Sequence, residues 1–179
     1  MSGMVVWSFG YWQWLSSSNS ESALFWVKVF SIGSTLIPAF YFHWIILLLK
    51  KETTQKYLLK FVYSVTFLIV IFSLLYPDLF IKDIVSKLSF PFWPEPGILY
   101  HFYLASIYGL LVSYALILLI RTYRNSNSEI KGQIFYVVLG SIVGFGGGVT
   151  NFFLWYDIPV PPYGNFLVAA FPVFFGYAM

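Results

Sequence analysis

The feature that most constrains this chain is a series of long apolar runs separated by short clusters of charge. Residues 57–76, 98–120 and 134–155 together contain one charged side chain, Lys60, and residues 23–49 contain one more, Lys28. About 20 apolar residues in a helix cross the hydrocarbon core of a bilayer. Charged residues make up 9% of the chain, against about 25% in soluble domains. The surface is therefore expected to face lipid.

We predict an all-α, polytopic membrane helix bundle of about six transmembrane helices, built as a single membrane-embedded domain over residues 1–179. Transmembrane strands would alternate polar and apolar residues, and runs such as 110–120 do not alternate. The expected helices are 3–18, 22–50, 56–76, 98–123, 130–155 and 163–179, with an outer loop at 77–97.

The positions of the basic residues predict the orientation of the bundle. Seven of the ten Lys and Arg residues lie in two alternate connectors, around residues 50–60 and 121–131. Basic residues accumulate on the cytoplasmic side of a membrane. These connectors, and both ends of the chain, are therefore predicted to lie inside. The basic residues that set this orientation also account for the net charge of +3. We therefore expect no nucleic-acid partner.

The outer loop combines two kinds of sequence. Residues 81–88 place Ile81, Ile84, Val85 and Leu88 on one helical face, which favours a short interfacial helix. Residues 89–97 contain three prolines and cannot form a regular helix. Trp93 in this stretch is typical of an aromatic belt at the headgroup level.

Few residues could carry chemistry. The chain has no cysteine, no phosphate-binding loop and no zinc-protease motif, and its two histidines are too few for a metal site. We therefore expect no catalytic residue, no metal and no cofactor in this chain. His43 and His101 remain candidate ligand or signal residues, because polar groups inside a membrane often mark such sites. Each could instead bond a backbone carbonyl or a headgroup.

His43 is the stronger candidate, because it follows Pro38 within the same run. Proline lacks an N–H group and so frees a carbonyl one turn earlier, near Ser34. Asn151 and Asn165 flank the last outer turn, where they are candidate signal residues or could hydrogen-bond across helices.

The fifth run carries the strongest local pattern, a glycine stripe in which Gly140, Gly144 and Gly148 recur every four residues, with Gly146 and Gly147 added. Such a stripe lets another helix backbone approach closely, or it acts as a hinge. The turn at 157–165 contains Pro159, Pro162 and Gly164, which predict a rigid connection.

Residues 132–179 resemble the end of the seven-helix N-terminal sensory region of bacterial histidine kinases, which also precedes some diguanylate cyclases. The matching positions are Gln133, Gly140, Gly144, Gly147, Asn151, Ile158-Pro159, Pro162-x-Gly164-Asn165 and Tyr177-Ala178. Residues 21–44, with a proline and a histidine, are similar to the third helix of that family.

This resemblance implies a helix before residue 1 and a cytoplasmic output domain, kinase or cyclase, after residue 179. The first run is too short for a confident crossing, and the last run ends at Met179 without a Lys or Arg at the membrane surface. Both features also predict that the chain is a fragment of a longer protein. The implied setting is the inner membrane of a bacterial cell, with the lipid bilayer and a second copy of the receptor as partners. The sequence thus predicts the sensory and signal-transmission region of a two-component histidine kinase. A small transporter or a membrane-embedded binding protein is the alternative.

Overall fold

The computed structural model describes residues 2–178, except for the side chains of residues 2, 128, 129 and 178. The chain divides into two compact units, residues 1–112 and 113–179. In order, the elements are α1 (Ser2–Leu15), α2 (Ser20–Leu48), α3 (Lys56–Leu75), α4 (Pro77–Phe80), β1 (Ile81–Lys87), β2 (Phe90–Pro96), α5 (Ile98–Tyr103), a π-helical segment (Leu104–Leu111), α6 (Val112–Asn125), α7 (Ser128–Trp155), a 3₁₀ segment (Tyr163–Ala170) and α8 (Phe171–Ala178).

Among the described residues, four helices are long and apolar enough to cross a membrane. They are Ser20–Leu48, Lys56–Leu75, Ile98–Asn125 and Ile130–Trp155, and Tyr163–Tyr177 is a shorter apolar helix. The predicted class, a helical membrane bundle, is confirmed. The exact number of crossings and the side of each end stay predictions.

Local sequence explains how α2 begins. The side chain of Asn19 accepts a hydrogen bond of 2.8 Å from the backbone N–H of Ser22, as an N-cap residue does. Glu21 lies in the first turn, where its charge complements the positive end of the helix dipole.

In the first unit, α1 and α2 pack with their backbones in close contact. A β-carbon added to Gly33 would lie 2.6 Å from the backbone nitrogen of Trp7, and one added to Gly10 would lie 2.9 Å from the β-carbon of Phe30. Both glycines are buried. Small residues at such positions let two helices in lipid gain packing energy from their backbones.

The interfacial helix predicted at 81–88 is wrong, because β1 and β2 form an antiparallel hairpin there. Ile81 pairs with Pro96, Val85 with Trp93, and Lys87 with Phe90. β-branched residues favour the pleated conformation over a helix. The prolines of β2 are tolerated because a two-stranded sheet leaves one edge of each strand unpaired.

The hairpin is fixed to the bundle through tryptophan. Trp93 is 0% exposed, and its ring lies 4.8 Å from that of Trp14 in α1. The indole nitrogen of Trp14 donates a hydrogen bond of 2.6 Å to the carbonyl oxygen of Phe92. Trp93 is therefore an internal anchor of the hairpin, and the predicted place in a lipid-facing aromatic belt is wrong for this residue.

In the second unit, α7 packs against the 3₁₀ segment and α8. The ring of Phe171 meets that of Phe145 edge to face at 5.2 Å and stacks on Phe175 at 4.5 Å. Nearer the chain end, Tyr136 stacks on Tyr177. Aromatic rings of the last segment thus cover the face of α7 that carries the glycine stripe.

Candidate functional site

The carbonyl that Pro38 leaves without a helical partner is bonded by another helix. Pro38 is buried inside α2, and the residue four positions earlier is Ser34. The hydroxyl of Tyr103 donates a hydrogen bond of 3.0 Å to the Ser34 carbonyl oxygen. Tyr103 is 2% exposed, so this bond is formed away from solvent. An unpaired carbonyl in such a place would cost about 1–3 kcal/mol.

A change of helix type follows Tyr103 directly. The helix Ile98–Asn125 is α-helical up to Tyr103 and π-helical over Leu104–Leu111. π-Helical turns are rare and often occur at functional sites, because their wider turns leave backbone groups in poorer geometry. One part-buried hydrogen bond, from Tyr103 to Ser34, thus connects the proline-containing turn of α2 to the residue that precedes the π-helical segment, which makes this junction a candidate conformational element.

His43 takes part in a second contact between helices of the first unit. Its Nδ1 lies 2.8 Å from the hydroxyl oxygen of Tyr63 in α3, and the two rings meet edge to face at 5.6 Å. The tautomer of the imidazole decides which group donates. The half-buried His43 therefore connects α2 to α3 through a side-chain hydrogen bond.

The hydrogen bond between His43 and Tyr63 involves none of the other three polar candidates. His101 is exposed on α5, and Asn151 is buried on α7. In the 3₁₀ segment, the side-chain oxygen of Asn165 is buried and has no hydrogen-bond partner among the described residues. The described residues also contain no group of three or more His, Cys, Asp or Glu side chains placed to hold a metal ion.

The glycine stripe lies against the 3₁₀ segment and α8. A β-carbon at Gly147 would overlap the carbonyl oxygen of Gly164, one at Gly144 would overlap the ring of Phe171, and one at Gly140 would lie 2.7 Å from the β-carbon of Phe174. Gly148 is half-buried. Gly146, on another side of α7, has open space around it. Only part of this glycine-rich stretch is therefore needed for close packing.

Backbone hydrogen bonds hold the turn between α7 and the 3₁₀ segment. The N–H of Ile158 donates to Phe153 at 3.0 Å, and the N–H of Asn165 donates to Pro162 at 3.0 Å. Pro162 is buried, whereas Pro159 is exposed. Partial burial raises the pKa of the Tyr156 phenol, at the start of this turn, above its ordinary value.

The last apolar segment changes helix type in its middle. It is a 3₁₀ helix over Tyr163–Ala170 and an α-helix over Phe171–Ala178. Eight residues are long for a 3₁₀ helix, which usually runs for about 3–4 residues because its hydrogen bonds are poorly aligned. A long 3₁₀ stretch within a helix often marks a functional hinge or a strained sequence.

Sequence reasoning missed the partners in these contacts. No sequence pattern distinguishes Tyr103 and Tyr63 from the other tyrosines among the 14 in the chain. Gly10 and Gly33 do not belong to a regularly spaced set of glycines within one apolar run. One signal existed for Tyr103: a carbonyl freed by proline inside a membrane must find a donor. The sequence did not show which of the many hydroxyl groups would supply it.

One known family matches this chain. The sequence profile of the N-terminal 7TM region of histidine kinase matches residues 1–179. No curated protein and no solved structure shows a significant match. Because the profile covers the full length of the sequence, the chain belongs to the family of N-terminal 7TM regions of histidine kinases.

Proposed function

We propose that the chain receives a stimulus in the membrane of a bacterial cell and relays it to a cytoplasmic output domain of the same protein. The family and the apolar helices support a sensory membrane region of a histidine kinase. The relay and the inner-membrane location are our inference. The family resemblance also implies a homodimeric receptor, for which cross-linking of the full-length protein in native membranes should give a dimer-sized band.

The observation that carries this proposal is the junction of α7 with the last segment. Gly147 and Gly164 bring two backbones together, and the 3₁₀ helix that begins beside them continues as α8. A packed interface of this kind supports two discrete arrangements better than a continuous deformation. A shift of the 3₁₀ segment toward α-helix would change the length and rotation of the helix formed by Tyr163–Ala170 and α8.

The relay predicts that filling this interface changes output. Gly144→Leu in the full-length receptor places a side chain where the Phe171 ring lies, so one arrangement is disfavoured. We expect kinase output to become constant, or to change about fivefold or more, in autophosphorylation assays with membranes. Gly146→Leu is the matched control, since its position is exposed and open. Normal insertion of Gly144→Leu together with unchanged output would contradict the relay.

The relay also requires a defined orientation. We propose that the connector between α2 and α3 lies in the cytoplasm and that the hairpin β1–β2 lies outside. The accumulation of lysines around residues 50–60 supports this assignment. Because the chain has no cysteine, Lys51→Cys and Asp83→Cys can each be labelled alone. An impermeant thiol reagent added to whole cells should label only position 83. Labelling of both positions would place them on the same side of the membrane and would contradict this orientation.

A further inference from the structure

A small, partly open cavity lies in the first unit where α2, α3, α4 and the start of β1 meet. Its volume is about 50 Å³, enough for roughly four water-sized groups. α2 contributes Lys28 and Ser31, α3 contributes Ser73 and Leu74, and β1 contributes Ile81. The lining therefore combines one cation and two hydroxyl groups with apolar walls.

Lys28 is the one charged residue of the apolar run of α2. It lies 20 residues before the end of that helix at Leu48, a rise of about 30 Å, which equals the thickness of the hydrocarbon core. With the lysines that follow Leu48 at one membrane surface, Lys28 lies near the opposite surface. The ammonium group is thus at the depth of lipid headgroups, where anionic groups are concentrated.

No described residue forms an ion pair or hydrogen bond with the ammonium group of Lys28. The ion pair found in the described part of the chain joins Lys82 to Glu95 instead. Lys28 is half-buried, so water hydrates it only in part. A lysine that merely extends to the interface needs no cavity beside it. Three free N–H donors beside a cavity favour a bound anion.

The two serines limit the ligand further. Ser31 donates its hydroxyl hydrogen to the Val27 carbonyl at 2.7 Å, and Ser73 donates to the Val70 carbonyl at 2.8 Å. Each hydroxyl has one hydrogen, so both side chains offer only acceptor lone pairs to the cavity. A ligand that satisfies the whole lining must carry an anionic group for Lys28 and a hydroxyl donor for the serines.

We propose that this cavity, which is open on one side, receives the phosphate end of an anion that also carries hydroxyl groups, of the glycerol phosphate type, while the rest of the ligand lies outside. The source is either the headgroup of an anionic phospholipid in the outer leaflet or a free solute of the same chemistry. The site joins α2, α3 and the hairpin, so occupancy would favour one arrangement of the three. This role as an input rests on the proposed function, whereas binding itself does not.

A single cysteine at the cavity tests the proposal, because the native chain has none. Ile32→Cys, at a half-buried residue of the cavity lining, is incorporated into nanodiscs of phosphatidylcholine and is treated with a small neutral thiol reagent. The reaction is repeated with phosphatidylglycerol in the nanodiscs and, separately, with glycerol 3-phosphate in solution. We expect the reaction to slow about threefold at a ligand concentration of twice the Kd, since one third of the sites then remain free.

Variants of the lysine identify the cause of the protection. Protection should disappear with Lys28→Gln, persist with Lys28→Arg, and be unaffected by Lys82→Gln, which removes an exposed charge from the hairpin. Protection by phosphatidylglycerol alone identifies a lipid site, and protection by glycerol 3-phosphate alone identifies a solute site.

Two results would overturn the proposal. The first is an unchanged reaction rate with both ligands in the parent Ile32→Cys protein, a result that does not depend on the folding of any lysine variant. The second is undiminished protection in Lys28→Gln. Because the assay measures binding and not output, the site can be rejected while the relay stands, and the relay can be rejected while the site stands.

Discussion

Trp14→Ala is expected to lower the free energy of unfolding by about 3–5 kcal/mol, the usual cost of removing a large buried aromatic side chain. Trp14 is 1% exposed, its ring contacts that of Trp93, and its indole N–H bonds the Phe92 carbonyl. The substitution leaves a cavity beneath the hairpin and removes a long-range hydrogen bond. Reversible unfolding in mixed micelles, followed by circular dichroism, measures the change.

Trp12→Ala is the control for this prediction. Trp12 lies on the same helix two residues earlier and is 60% exposed, so its loss should change the free energy of unfolding by about 0.5 kcal/mol or less. Trp14→Phe keeps most of the ring contacts and loses the hydrogen bond, which is worth about 0.5–1.5 kcal/mol. Equal losses for Trp12→Ala and Trp14→Ala would mean that the hairpin is not anchored through Trp14.

Tyr103→Phe should destabilise the protein by about 1–3 kcal/mol, because it leaves the carbonyl of the half-buried Ser34 without its donor. The ring volume is kept, so the effect belongs to the hydroxyl group that donates to Ser34 at 3.0 Å. Tyr57→Phe is the control, since Tyr57 is 82% exposed at the start of α3. The same unfolding assay applies to both variants.

A double-mutant cycle assigns this effect to the proline. In Pro38→Ala the backbone gains an N–H group that can bond the Ser34 carbonyl within the helix. Tyr103→Phe should therefore cost less when it is combined with Pro38→Ala, with a coupling energy of about 1 kcal/mol or more. A cost that is the same with and without the proline would show that Tyr103 stabilises the bundle in some other way.

The Ser34 carbonyl separates what the sequence predicts from what helix packing decides. Pro38 alone predicts that a carbonyl near Ser34 lacks its helical partner, since the missing N–H is a covalent property of proline. The identity of the donor, Tyr103, depends on how two helices cross, and no local pattern encodes that crossing. His43 is similar: its polarity within an apolar run is visible in the sequence, whereas its pairing with Tyr63 is a result of packing.

The segment 81–96 shows where local patterns mislead. Residues 81–88 satisfy a helical period and are also rich in β-branched residues, so sequence alone could not choose between helix and strand. Pairing with β2 makes residues 81–87 a strand. Phe90–Pro96 cannot be helical, and the hairpin buries Trp93 against Trp14. Hydrogen bonds and burial contributed by a distant segment outweighed the periodicity of the local one.

The sequence by itself determined the solvent of this protein and its class. Long uncharged runs must satisfy their backbone groups within helices when the surroundings are lipid, and the charge clusters mark where those helices end. Only the tertiary structure decided which glycines bring backbones together, which hydroxyl bonds the freed carbonyl, and that Lys28 lies beside a cavity. Lipid solvates all apolar faces about equally, so helix contacts in a membrane depend on shape and on individual hydrogen bonds, and these exist only once the chain has packed.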